Sequence, residues 1–199
     1  MAHIDYYFST ISPFTYLAGA GLEDIAARHG ATITYKPLDI MALFARTGGV
    51  APKDRHPNRV AYRAQELQRA AKKAGVPMVM QPAHFPTNQA PSSYAVIAAQ
   101  EAGGGDIGAL VQGLLRAVWE QDKDIAEDAV IGDCLEAAGF ARSLAMSGML
   151  AGAEAYTANL EEAVNNGAFG APFYITDGDA RFWGHDRLDD LDLHLSGKL

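Results

Sequence analysis

The sequence predicts an α/β protein whose sheet is supplied by the two ends of the chain. Three observations predict it. Period-2 hydrophobic alternation brackets one amphipathic segment within the first 36 residues, the alternation returns only after Gly170, and from about Asp39 to Gly167 the periodicity is helical.

The elements follow in order. In His3-Ile4-Asp5-Tyr6-Tyr7-Phe8 the side chains of Ile4, Tyr6 and Phe8 share one face, which reads as a strand ending at Ser9-Thr10. Ser12-Pro13 is a helix start, because serine can cap free N–H groups and proline has the φ of a first turn. Phe14, Leu17, Ala18, Gly21, Leu22 and Ile25 then keep helical spacing, and Gly30 offers a left-handed stop, which predicts one helix. Ala31 to Lys36 alternates again as a second strand. Helical periods follow over Tyr62 to Lys73, Ser92 to Ala102, Ile107 to Gln121, Ala126 to Ala138 and Ser147 to Val164. Two pieces rich in glycine and proline, Thr47 to Asn58 and Gly75 to Pro91, read as surface loops. Pro172 to Thr176 and Ala180 to Trp183 flank Asp177-Gly178 as a hairpin. Leu188, Leu191 and Leu195 form a last helix behind Asp186, an expected N-cap.

Strand-helix-strand, a helical stretch, then strand-strand-helix is the order of a thioredoxin-like fold with an all-helical insertion. The expected division is 1–38 plus 168–199 for the thioredoxin-like part and 39–167 for the inserted helical part.

Composition narrows the function. The 199 residues carry 24 acidic and 16 basic side chains, a net charge of −8, with 49% hydrophobic residues, so the chain folds and repels phosphate backbones. Nucleic acid is not an expected partner. Apolar runs fall short of the ~20 residues that span a bilayer, and His3 and Asp5 stand where a basic leader would begin, so no membrane association and a cytoplasmic location are expected. The single cysteine, Cys134, excludes an internal disulfide and a CxxC pair and reads as a core residue, as do Trp119 and Tyr94. Six histidines without HxH or HxxxH spacing predict no metal site, and His56 and His84 lie in the two loops, where an acid/base part remains open. Gly103-Gly104-Gly105 follows a helix and lacks a lysine, so it reads as a helix stop.

Three pieces can carry chemistry. In a thioredoxin-like plan Ser12 stands where a redox enzyme has its first cysteine. It either caps its helix or gives a hydrogen bond to a thiolate supplied from outside. Pro172 is either a plain loop-to-strand proline or a cis proline that leaves Ala171 presenting a free backbone N–H and C=O to an extended peptide. Asp186 either caps or holds an ammonium group.

Taken together, Tyr6-Tyr7-Phe8 with Ile11-Ser12-Pro13-Phe14-Thr15-Tyr16-Leu17-Ala18, then Phe169-Gly170-Ala171-Pro172, then Phe182-Trp183-Gly184-His185-Asp186-Arg187-Leu188, resemble the 2-hydroxychromene-2-carboxylate isomerase family. These are relatives of kappa-class glutathione transferases with a DsbA-like thioredoxin fold. The likeness runs the whole length and includes Lys36-Pro37, Thr47-Gly48, Leu67-Gln68-Arg69 and Gly75-Val76-Pro77. The resemblance implies glutathione as cofactor. Ser12 matches the residue that holds its sulfur, Ala171 before cis Pro172 the residue that pairs with the tripeptide backbone, and Trp183, Gly184, His185 and Asp186 the segment at its γ-glutamyl end. Phe44, Ala45, Asp54 and Phe85 match positions lining the pocket for a small aromatic carboxylate substrate, and a homodimer is expected.

The chain departs from the family at Gly48-Gly49, where Gly-Asn is frequent, and at Asp54, where a neutral polar residue stands. Lys53 and Arg55 flank that acid. The implied reaction is addition of the glutathione thiolate to 2-hydroxychromene-2-carboxylate, rotation about the bond made single, and expulsion of the thiolate to give trans-o-hydroxybenzylidenepyruvate in aromatic degradation. Two other readings stay open, a kappa-like glutathione transferase that conjugates an electrophile and a non-catalytic thioredoxin-fold binding module. Glutathione consumption separates the first, and failure to bind glutathione favours the second.

Overall fold

In a computed structural model that describes all of residues 1–199, the strands are β1 (His3–Phe8), β2 (Thr32–Pro37), β3 (Phe173–Thr176) and β4 (Arg181–Trp183). They form one mixed sheet in the order β2-β1-β3-β4, with β1 parallel to β2 and antiparallel to β3, and β3 antiparallel to β4. Strand-helix-strand before the helical stretch and strand-strand-helix after it give a thioredoxin-like fold, an α/β architecture with ten helices.

Those helices are α1 (Pro13–Ala18), α2 (Gly21–His29), α3 (Ile40–Thr47), α4 (Pro57–Ala74), α5 (Ala90–Ala102), α6 (Ile107–Trp119), α7 (Asp128–Ala137), α8 (Leu144–Ser147), α9 (Met149–Asn165) and α10 (Leu188–Leu195). None is long and apolar enough to cross a membrane.

The alternation of β1 sorts its side chains between two hydrophobic clusters. Ile4, Tyr6 and Phe8 join Tyr35, Tyr174 and Phe182 in the larger one, which continues into Leu110, Leu114 and Trp119 of α6, so the sheet and the helices share one core. Tyr7, Phe173 and Ile175 face the smaller cluster with Leu38, Leu43 and Ala163. Within the larger cluster the ring of Tyr6 stacks on Phe8 at 4.7 Å and on Tyr174 at 5.2 Å. Trp119, Phe8 and Tyr174 are almost wholly buried, and each apolar side chain so buried contributes roughly 1.5–3 kcal/mol.

Four expectations from the sequence are corrected. The first helix is two helices, because Gly19 at φ 57 ends α1 and its carbonyl accepts a hydrogen bond from Gln112 at 2.7 Å. Gly21, at the start of α2, allows Leu188 of α10 to approach so closely that a Cβ would lie 2.7 Å from its Cδ1. The Thr47 to Asn58 piece is not a plain loop. It contains the end of α3, a 3-10 turn at Pro52–Asp54 and the start of α4, capped by His56, whose Nδ1 accepts from the Asn58 N–H at 3.2 Å. The last long helix begins at Met149, with the short α8 before it. Asp186 does not cap α10. It sits in a 3-10 turn, His185–Arg187, and its carboxylate accepts instead from the Arg187 guanidinium at 2.8 Å.

Buried polar atoms are unevenly satisfied. The Tyr35 hydroxyl donates to Glu23 at 2.9 Å, whereas the Tyr174 hydroxyl is buried without a partner. A desolvated, unbonded hydroxyl costs stability, and a buried carboxylate robbed of its donor costs more. Tyr174→Phe is expected to keep or raise stability by up to about 1 kcal/mol, and Tyr35→Phe to lower it by about 1–3 kcal/mol. Urea unfolding of the two variants measures both.

Candidate functional site

The strand register brings three distant segments to one end of the sheet. Tyr7 is opposite Phe173 and Phe173 opposite Trp183, so the chain leaving β1 toward Ser12, the chain entering β3 through Ala171-Pro172, and the chain leaving β4 toward Asp186 emerge side by side. The turn after β1 is fixed from below. Ser9 donates to Gln89, and the Thr10 and Ser92 hydroxyls bond at 2.9 Å, all of them buried.

Ser12 is the N-cap of α1, its Oγ accepting from the Thr15 N–H at 3.2 Å, and it is 9% exposed. That bond uses a lone pair, so the hydroxyl proton remains available to a further acceptor. The Ala171-Pro172 bond is cis, as is Phe85-Pro86. The Pro172 carbonyl accepts from the Gly184 N–H at 3.0 Å, and the N–H and C=O of Ala171 have no backbone partner.

Beside these lies a cavity of about 800 Å³. Ala171, Trp183, Gly184, His185 and Asp186 line one side of it, with Phe169 and Gly170. Trp183, 54% exposed, meets the Phe169 ring edge-on at 4.9 Å. The other lining comes from Phe14 of α1, from Phe44 with Thr47 to Val50, from Arg55, and from Asn58, Arg59, Tyr62, Arg63 and Glu66 of α4. Phe14 and His185 stack at 5.4 Å with planes 23° apart.

Electrostatics differ along the cleft. Burial would raise the Asp186 carboxyl, but the Arg187 guanidinium and the backbone N–H of Asp186 outweigh it and hold the group below the usual carboxylate value. Burial lowers His185 below its ordinary 6.5, with Asp186 opposing, so the ring is neutral at pH 7. Burial, then the charge of a neighbouring arginine, lowers both Arg55 and Arg63.

The structure therefore gathers Phe44, Ala171, Trp183, Gly184, His185 and Asp186 around one cavity. Pro172 is buried directly behind Ala171, and Ser12 lies two residues before Phe14 without itself lining the cavity. Three residues fall elsewhere. Ala45 is exposed on α3, Asp54 is exposed in the 3-10 turn, and Phe85 packs against Trp119 at 5.0 Å. His56 serves as a cap, and His84 is an exposed loop residue 3.8 Å from Asp124. The structure adds the basic pair Arg59 and Arg63, with Tyr62. Their sequence signal is the i, i+4 recurrence of arginine at 55, 59 and 63, which a helix beginning at Tyr62 rather than Pro57 conceals.

Comparison with known proteins adds the lineage. The family model described as a DSBA-like thioredoxin domain matches residues 3–196. A 2-hydroxychromene-2-carboxylate isomerase of Sphingobium xenophagum is 33% identical over 201 residues, covering 96% of this chain and 97% of that protein. The chain belongs to the 2-hydroxychromene-2-carboxylate isomerase family. A solved 2-hydroxychromene-2-carboxylate isomerase superposes with a TM-score of 0.77 at 28% identity, covering 98% of this chain and 95% of that one. The cytosolic disulfide reductase DsbM from Pseudomonas aeruginosa with GSH superposes with a TM-score of 0.71 at 18% identity, covering 98% of each chain, a likeness of fold. The naming of the isomerase relatives supports isomerase activity in this member of the family.

The absence of a side chain at Gly49 has a steric counterpart in this chain. A Cβ on Gly49 would lie 2.5 Å from Phe44 Cδ1, so the Phe44 ring occupies the space of the missing side chain. Asp54 stands outside the cavity lining, whereas its neighbour Arg55 is part of it.

His185 yields a pH prediction. Its folded form prefers the neutral ring, so the unfolded chain takes up a proton first as pH falls, and acid favours unfolding. Its contribution is complete above 6.5 and is lost as pH falls through the lowered folded value. Thermal melting from pH 8 to 5 is expected to show wild type losing stability relative to His185→Gln below about 6.5, with a constant difference above it.

Proposed function

We propose that this protein is a glutathione-dependent isomerase that interconverts 2-hydroxychromene-2-carboxylate and trans-o-hydroxybenzylidenepyruvate. The observation that carries the reading is the unbonded backbone pair of Ala171, beside a cis proline, at a cavity of about 800 Å³ that also holds the Asp186 carboxylate. Those groups fit a tripeptide. An extended main chain needs one free N–H and one free C=O, and a γ-glutamyl ammonium needs an ionised acid, which the lowered Asp186 supplies. The family relatives that carry the isomerase name support the reaction class.

When bound, glutathione would supply a thiolate nucleophile that is regenerated at each turnover. Ser12 would donate its unused hydroxyl proton to the sulfur, favouring the ionised form. Ala171 would fix the tripeptide backbone, and Trp183 with Gly184 and His185 would enclose its γ-glutamyl end. Gly184 has φ 115, and a Cβ there would lie 2.6 Å from Asp186 Oδ1, so glycine lets the carboxylate fold back over its own turn. Phe14 and Phe44 would present flat apolar faces to an aromatic ring, orienting it and excluding water.

Calorimetry with glutathione, followed by assay of 2-hydroxychromene-2-carboxylate with and without the tripeptide, tests this reading. Turnover should require glutathione and consume none. An adduct formed once per turnover would make the protein a transferase, and absence of binding would leave a non-catalytic module. Ser12→Ala is expected to retain the fold at a cap cost of about 1 kcal/mol while turnover falls severalfold or more. Asp186→Asn removes a charge from an exposed ion pair, so melting should change little, whereas the glutathione Kd should rise roughly tenfold or more. Unaltered glutathione affinity in Asp186→Asn would remove that residue from the site.

A further inference from the structure

The γ-glutamyl end of glutathione carries an ammonium and a carboxylate on the same carbon. With Asp186 holding the ammonium, the carboxylate needs a partner of its own one carbon away, on a group beside Asp186. His185 is that neighbour, and it lines the same cavity.

Its ring is unlike the other five histidine rings. His3, His29, His56 and His194 each place a ring nitrogen in a hydrogen bond, and His84 faces Asp124 at 3.8 Å. Neither ring nitrogen of His185 has such a partner. What holds the ring is its stack on Phe14, with centroids 5.4 Å apart and planes 23° apart. A stack fixes the plane of an imidazole and occupies neither nitrogen, so the ring is positioned while its donor and its acceptor stay free.

The charges around the ring decide its proton. On its own turn stands Asp186, paired with Arg187 at 2.8 Å, and Arg187 also holds Asp190 of α10 at 3.1 Å, next to Asp189. From α4 come Glu66, Lys73 and Arg63, the last with its guanidinium carbon 5.6 Å from the Phe14 centroid. Helix α1 adds only Tyr16, whose hydroxyl donates to the Pro77 carbonyl, and β4 adds Arg181, paired with Asp179. Burial lowers the ring below 6.5, Asp186 and Glu66 oppose it, and Lys73 adds to it. No carboxylate bonds the ring itself. A ligand carboxylate that does so makes a charge-assisted bond to the protonated ring, which favours a proton that the empty site refuses.

We infer that His185 receives the γ-glutamyl carboxylate and takes up a proton as it does so, which makes glutathione affinity fall as pH rises. This rests on the glutathione reading and adds to it a residue role and a pH dependence of binding. The sign follows from linkage. The ligand binds the protonated site better, so affinity is highest and level below the free ring's lowered value, declines as pH rises toward the bound value, and is level again above that.

The probe is the tripeptide in which 2-aminobutyrate replaces cysteine, because a methyl group in place of the thiol removes the ligand's own titration near neutrality. Calorimetry in two buffers of different ionisation enthalpy reads the proton uptake. Wild type is expected to take up a fraction of a proton near pH 6.5 and almost none by about pH 8, with Kd rising about tenfold from pH 5.5 to 8 for each unit between the free and bound values. The same probe with 4-aminobutyrate in place of its γ-glutamyl residue keeps the ammonium and lacks the carboxylate. It should bind more weakly and without proton uptake. His185→Gln should bind the first probe with the weaker, high-pH affinity at every pH and take up no proton. Binding to wild type without uptake, or uptake that persists in His185→Gln or with the carboxylate-free probe, overturns the inference and leaves the glutathione reading standing. A wild type that binds neither the first probe nor glutathione overturns both. The comparison of the two probes on wild type needs no variant, so the test survives a His185→Gln chain that fails to fold.

Discussion

The register of β3 governs where the chemistry-bearing groups meet. Tyr7 lies opposite Phe173, and Phe173 opposite Trp183, in two antiparallel ladders. Antiparallel pairing makes the end of β1 the neighbour of the start of β3, and the start of β3 the neighbour of the end of β4. Ser12, Ala171 and Asp186, separated by more than 150 residues of chain between the first two, therefore arrive at one sheet end. The register is in turn held by burial. A slip of one residue would send Tyr174 toward Leu38 and Leu43 and pull it off its stack with Tyr6, reversing the faces of every β3 side chain. All four residues of β3 are buried, so neither face tolerates that exchange.

The two walls of the cleft carry opposite electrostatic characters, and the difference has a structural origin. Asp186 is ionised readily because the adjoining Arg187 and a backbone N–H favour its charged form over the effect of burial. The α4 wall has no such compensation. Arg59 and Arg63 sit at i and i+4 with Arg55 at the preceding turn, and the one acid in that lining, Glu66, acts on Arg63 only through space.

The sheet was legible in the sequence because the residues of β1 and β2 alternate in polarity and those of β3 and β4 flank an Asp-Gly turn. Ile4, Tyr6 and Phe8 fall on one face as their spacing predicts, and Asp177-Gly178 marks the hairpin. Helical spacing of apolar residues recovered α5, α6 and α7. What it could not reveal was the break at Gly19, since a small residue at an apolar position satisfies the period whether the helix continues or stops. Two glycines within three residues, Gly19 and Gly21, carry the signal: Gly19 takes the positive φ of 57 that ends α1, and Gly21 admits Leu188 at the start of α2. Asp186 was misread as a cap for a related reason. Its spacing to Leu188 fits an N-cap, yet a 3-10 turn intervenes and directs the carboxylate toward Arg187. The family motifs brought six expected residues to the cavity, but Ala45, Asp54 and Phe85 lie outside its lining because the local courses of α3, the 3-10 turn and the Phe85 loop are set by packing that sequence spacing does not encode.

Three glycines show how the cleft obtains its shape. At Gly170 a Cβ would stand 2.3 Å from Trp183 Nε1, at Gly184 2.6 Å from Asp186 Oδ1, and at Gly49 2.5 Å from Phe44 Cδ1. In each case the missing side chain is replaced by part of a neighbouring cleft residue, so the absence at one position fixes the placement at another. Trp183 can lie against Gly170, a position that a larger residue there would deny it. Phe44 can turn over Gly49 and still sit beneath Arg55 at 5.8 Å, which a β-carbon at 49 would prevent. The approach of Phe44 over Gly49 and the presence of that ring beside a guanidinium are thus one structural event. The Thr47 to Val50 side of the cleft thereby presents a flat ring beside a cation, placed by the absence of a β-carbon at 49.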